Sequence, residues 1–121
     1  VNAEALRVLV LEDDPQLRRV SERSARLREG LQVFTVATEE EARAALAVGR
    51  YDLVVCDLNL KGGRTSARLV AELERATQPP VVVHTASPQL ARELGVTAQV
   101  FPKTRTLLAI LDELAPFMKR T

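Results

Sequence analysis

Carboxylates in this sequence stand at the ends of apolar runs. Leu53-Val54-Val55-Cys56 stops at Asp57, and Leu6 to Leu11 stops at Glu12-Asp13-Asp14. Two more apolar runs end in polar groups: Val81-Val82-Val83-His84 reaches Thr85, and Ala98-Gln99-Val100-Phe101 passes through Pro102 to Lys103. Asp14 before Pro15 has the form of a helix N-cap with proline at the first helical position. Glu12 and Asp13 then have no capping duty. Three carboxylates brought to one spot repel unless a cation sits among them, and a hard divalent ion such as Mg²⁺ takes oxygen ligands. With such an ion bound, Asp57 has the character of a nucleophile toward a phosphoryl group. Lys103 supplies a point charge for a phosphoryl oxygen and Thr85 a hydroxyl donor. Taken singly, Lys103 reads as a surface lysine paired with an acid and Thr85 as a helix-capping residue. Their joint placement favours a site.

That placement depends on the elements. Leu6–Leu11, Leu31–Val36, Leu53–Cys56, Val81–His84 and Ala98–Phe101 read as strands. Between them, Leu17, Val20, Ser24 and Leu27 mark one face of a first helix. Thr38 with Glu41 forms a capping box opening a second helix to Gly49, which makes Glu39 to Glu41 cap and dipole residues rather than ligands. Ala67, Leu69, Val70 and Leu73 carry a third helix after a loop, and Leu90, Ala91 and Leu94 a short fourth. Leu107, Leu108, Leu111, Leu114 and Met118 mark a final amphipathic helix in which Pro116 kinks the last turn. Five strand–helix alternations imply right-handed crossovers and a doubly wound five-stranded parallel sheet of the α/β class, (βα)5. In such a sheet every strand's carboxyl end lies on one rim, where ligands bind. Glu12, Asp13, Asp57, Thr85 and Lys103 all belong to that rim.

At 121 residues and 13.3 kDa the chain is expected to form one domain over 1–121. A net charge of +1 gives no bulk electrostatic case for nucleic acid or membrane as a partner. Arg18, Arg19, Arg23, Arg26 and Arg28 read as a solvated helix face. No run approaches the roughly 20 apolar residues of a spanning helix. Cys56, the one cysteine, reads as a small buried hydrophobe, and a reducing cytoplasm is the expected compartment. His84 reads as a packed, hydrogen-bonded histidine rather than a proton relay.

The segments LRVLVLEDDP, YDLVVCDLNL, VVVHTAS and VFPK, in this order and with Asp13 and Asp57 44 positions apart, resemble the receiver domain of two-component response regulators. The resemblance runs from about Leu6 to Met118. It implies a flavodoxin-like fold and transfer of a phosphoryl group to Asp57 from a sensor histidine kinase or phosphotransfer protein. It further implies Mg²⁺ held by Glu12, Asp13, Asp57 and the backbone carbonyl of Asn59. Thr85 would follow the phosphoryl group, Lys103 would bond to it, and a downstream protein partner or output domain would read the result. On this reading the chain is no enzyme beyond its own phosphorylation and dephosphorylation. The sequence also departs from the family. Thr85 and Lys103 are only 18 positions apart, which predicts a shortened fourth helix. Val100 stands where receivers carry an aromatic partner for the threonine, Phe101 points to the opposite strand face, and Thr104 and Lys61 replace two usual prolines.

Two other classes remain alongside. A pseudo-receiver would act as a phosphorylation-independent interaction module. A metal-dependent phosphatase of the haloacid-dehalogenase type would need an acid two residues after its nucleophile, where Asn59 cannot shuttle a proton. A nucleotide-binding flavodoxin-like protein would need a glycine-rich loop after the first strand, and none is present.

Overall fold

The computed structural model describes residues 5–118, so the ends of the expected 1–121 domain lie outside the described residues. Five parallel strands form the sheet: β1 (Leu6–Leu11), β2 (Leu31–Val36), β3 (Leu53–Cys56), β4 (Val81–Thr85) and β5 (Gln99–Pro102), in the order β2-β1-β3-β4-β5. Five helices join and cover them: α1 (Pro15–Leu27), α2 (Glu39–Val48), α3 (Ala67–Ala76), α4 (Pro88–Glu93) and α5 (Leu107–Leu114). This is the α/β, flavodoxin-like architecture expected from the alternation. α4 is short as expected, at six residues.

Strand periodicity builds the two core layers. Val8 and Val10 face one side of the sheet with Leu53, Val55, Val82 and Phe101, under Leu107, Ile110, Leu111 and Leu114 of α5. Leu9 and Leu11 face the other with Val54, Cys56 and Val83, under Ala42 of α2, Leu69, Val70 and Leu73 of α3, and Ala91 of α4. Alternate side chains of a strand point to opposite faces, so a strand covered on both must be apolar throughout. β3 is central and all four of its residues are buried. Each such aliphatic side chain contributes about 1.5–3 kcal/mol of burial.

Local chemistry sets the helix starts. The Asp14 carboxylate accepts from Gln16 N at 2.8 Å, with Pro15 inside the first turn. Thr38 Oγ1 accepts from Glu41 N at 3.1 Å, and the Glu41 carboxylate reaches back to Ala37 N at 2.8 Å. α5 ends at Leu114, and Pro116 lies in a 3₁₀ turn over Ala115–Phe117.

Two expectations need correction. On α1 only Ser24 is buried, while Val20 is 55% and Leu27 75% exposed. Ser24 of the expected face points inward, whereas Leu17, Val20 and Leu27 of the same face stay exposed, because α5 already covers the sheet on that side. Its arginines are not uniformly solvated either: Arg18 donates to the Glu12 carbonyl at 2.9 Å and Arg28 pairs with Asp112 at 2.8 Å. The second correction lies after β3. The expected loop holds a small antiparallel hairpin, Asn59–Leu60 against Arg64–Thr65, turned by Gly62 and Gly63 at φ +76 and +73, a region that favours glycine. Among the described residues, no helix is long and apolar enough to cross a membrane.

Candidate functional site

Glu12 and Asp13 follow β1, and Asp57 follows β3, its immediate neighbour. The Asp57 N–H donates to the Leu11 carbonyl at 2.9 Å, which extends the ladder by one step and holds the three acids side by side. One carboxylate oxygen from each of Glu12, Asp13 and Asp57 lies within 4.8 Å of the others. Opposite ligands of an Mg²⁺ octahedron stand about 4.2 Å apart, twice the usual bond length. Hard oxygen donors at this spread suit such an ion.

Burial makes the arrangement costly without a cation. Glu12 is 4% and Asp57 8% exposed. Lys103, arriving from β5, supplies a cation from the protein: its Nζ bonds the Glu12 carboxylate and lies 3.6 Å from Asp57 Oδ2. Compensation at Asp57 is incomplete. Desolvation pushes its carboxyl up to about 7; Lys103 pulls down against this while the Glu12 charge adds to the rise. A proton and a metal ion are alternative ways of relieving the same buried negative charge.

Backbone groups fix the acid in place. Asn59 N donates to Asp57 Oδ1 at 3.3 Å, and Asp14 N to Glu12 Oε2 at 3.2 Å. Asn59 lies in the hairpin, with its side-chain amide 3.5 Å from Ser87 Oγ. Thr85 ends β4 fully buried, and its Oγ1 accepts from Ser87 N at 3.0 Å. Its hydroxyl is engaged with the loop ahead of α4 rather than with Asp57. The structure thus brings Glu12, Asp13, Asp57 and Lys103 into contact and leaves Thr85 turned toward its own loop.

Sequence reasoning missed Ser66. Its hydroxyl donates to the Asp57 carbonyl at 2.7 Å and is wholly buried. Serine just before an apolar helical pattern signals an N-cap, yet here no side-chain cap bond forms because the hydroxyl is committed to Asp57. Arg18 was also missed as a tether of the Glu12 backbone. Beside the acids lies a cleft of about 520 Å³ lined by Asp13, Arg18, Glu39, Lys61 and Arg64, among others. In the layer under α2, α3 and α4, the Cys56 thiol is buried among aliphatics, and desolvation pushes it up to about 12.

Comparison with known proteins came to the same fold. Residues 8–101 match the family model described as response regulator receiver domain. No curated protein sequence matches the chain. The receiver domain of PhyR from Erythrobacter litoralis superposes with a TM-score of 0.76 at 21% identity, covering 97% of this chain and 95% of that one. CheY4 of Vibrio cholerae superposes with a TM-score of 0.73 at 22% identity, over 94% and 99% of the two chains. TrrA of Thermotoga maritima, solved in complex with Mg²⁺-BeF, gives 0.68 at 24% identity over 93% and 95%. These likenesses are of fold.

Proposed function

Because this chain belongs to the response regulator receiver domain family, we propose that it is a phosphoacceptor of a two-component system, modified on Asp57. The donor is the phosphohistidine of a sensor histidine kinase or phosphotransfer protein. The observation that carries the reading is the convergence of Glu12, Asp13 and Asp57 on one rim with Lys103 reaching them from another strand.

In the transfer, a carboxylate oxygen of Asp57 attacks phosphorus, the phosphorus–nitrogen bond breaks, and its electron pair returns to the donor imidazole. An acyl phosphate remains on Asp57, and hydrolysis by water returns the carboxylate. Glu12, Asp13 and Asp57, with the Asn59 carbonyl, would hold Mg²⁺; the TrrA structure with Mg²⁺-BeF supports this choice of ion. When bound, Mg²⁺ offsets the charge of the carboxylates and of the phosphoryl oxygens. The protein's own contributions follow from the geometry. Ser66 and the β1–β3 ladder hold Asp57 still, the Asn59 N–H orients one carboxylate oxygen, and Lys103 offers its ammonium to a phosphoryl oxygen. Thr85 would turn its O–H to donate to the phosphoryl group, so the modified state selects a second arrangement of the loop after β4.

The chain acts as one domain of the cytoplasm that signals through contacts with a downstream protein or output domain. The buried free thiol of Cys56 suits a reducing compartment.

Intact-mass measurement after incubation with acetyl phosphate and Mg²⁺ tests the reading. Wild type should gain one phosphoryl group in a metal-dependent way, and Asp57→Asn none. Val100, aliphatic where receivers carry an aromatic, favours a second reading: a phosphorylation-independent interaction module. A wild type that binds Mg²⁺ yet gains nothing, from acetyl phosphate or from a kinase, would make that reading the correct one.

A further inference from the structure

Resting on that reading, we infer that His84 is a positioning residue that couples the Thr85 loop to α5, in place of the aromatic residue the chain lacks. His84 is the one histidine of the sequence and directly precedes Thr85 in β4, where it is paired in register with Phe101 of β5. Its Nε2 lies 2.8 Å from the Arg105 carbonyl oxygen. A carbonyl only accepts, so Nε2 carries the hydrogen and donates.

Arg105 belongs to the loop that joins β5 to α5, and it is held from both ends. Its N–H donates to the Pro102 carbonyl at 2.9 Å. Its guanidinium lies over the Phe101 ring at 5.7 Å and pairs with Glu113 of α5. Two residues earlier in the same loop, Lys103 N donates to the Thr85 carbonyl at 3.0 Å. Consecutive residues at the end of β4 are therefore each bonded to the Lys103–Arg105 loop, His84 through its ring and Thr85 through its backbone.

Elsewhere the Thr85 loop is tied, through Ser87, to Asn59 of the hairpin after β3 and not to α5. Val100 packs with the layer under α3 and α4 as a plain aliphatic, and α4 has six residues. When the Thr85 O–H turns to donate to a phosphoryl oxygen, the strand end that also carries His84 shifts. The side chain bonded to the next element is the imidazole, and the next element is the lead-in to α5. The route runs Thr85, His84, Arg105, Glu113, along the face where Phe101 is buried.

The test compares full-length wild type, His84→Leu and His84→Gln, each treated with acetyl phosphate and Mg²⁺. Intact mass counts phosphoryl groups, while amide NMR shifts report residues 85–88 and 105–114 separately. In wild type both sets should move on modification. His84→Leu should still take one phosphoryl group and move residues 85–88, with the response of 105–114 reduced about threefold or more. Gln, whose amide N–H can reach the same carbonyl, should restore it, which a purely packing role would not produce. Should the leucine variant not fold, His84→Asn, polar but too short to reach, takes its place. An unchanged response of 105–114 in a phosphorylated His84→Leu or His84→Asn overturns the inference. Wild type that gains no mass overturns the phosphoacceptor reading first, and the coupling falls with it.

Discussion

Asparagine at position 57 should make the metal-free protein more stable at neutral pH, because the native carboxylate is held where its charge is poorly solvated. Asp57 rises from an ordinary 3.8 to about 7, chiefly through desolvation, with the opposing pull of Lys103 already included. The unfolded chain gives up this proton near pH 4, and the folded chain only near pH 7. Between those values the folded state binds more protons, so stability falls as pH rises. The full displacement corresponds to about 4 kcal/mol, which is the ceiling on what Asp57→Asn can recover above pH 7. The assay is urea unfolding of both proteins in EDTA from pH 4.5 to 8. At pH 4.5 the variant should lead by only about 1 kcal/mol. The variant should then gain by up to about 1.4 kcal/mol for each pH step, and level off above pH 7. Added Mg²⁺ should act the other way, raising wild type by about 2.7 kcal/mol at a hundred times its dissociation constant and the variant by less. A difference between the proteins that stays flat across this range, or a wild type that is the more stable at pH 8 in EDTA, would refute the claim that Asp57 is strained by burial of its charge.

Four other outcomes follow from particular side chains. Lys103→Met leaves the buried Glu12 carboxylate without its cation and should cost about 3 kcal/mol in metal-free urea unfolding at pH 7, with part recovered on adding Mg²⁺. The Cys56 thiol, buried and pushed up to about 12, should resist an aromatic disulfide reagent at pH 8 until urea unfolds the chain. Val20→Ser on the exposed face of α1 should change stability by no more than about 0.5 kcal/mol. Leu9→Ala, by contrast, removes a fully buried side chain and should cost about 2–5 kcal/mol in the same assay.

The order and type of the elements, and the rim on which the acids fall, are legible in the residue pattern alone. Val8 to Leu11 and Leu53 to Cys56 are apolar at every position, which only a strand covered on both faces requires. Asp14-Pro15 and Thr38 with Glu41 start their helices through bonds spanning two to four residues. Such signals are local, so they survive being read without neighbours. Tertiary structure decided everything that depends on a distant partner. The apolar stripe of α1 looked like a core face, but α5 fills that side of the sheet, and of that stripe only Ser24 is buried. Ser66 was passed over because the partner of its hydroxyl, the Asp57 carbonyl, stands nine residues earlier. The ionisation of Asp57 depends on burial and on Lys103 and Glu12 from two other strands, and the bond from His84 to Arg105 spans 21 positions. A residue type announces what a side chain can donate, accept or ionise; which partner it meets, and how dry that meeting is, is settled only when the strands lie side by side.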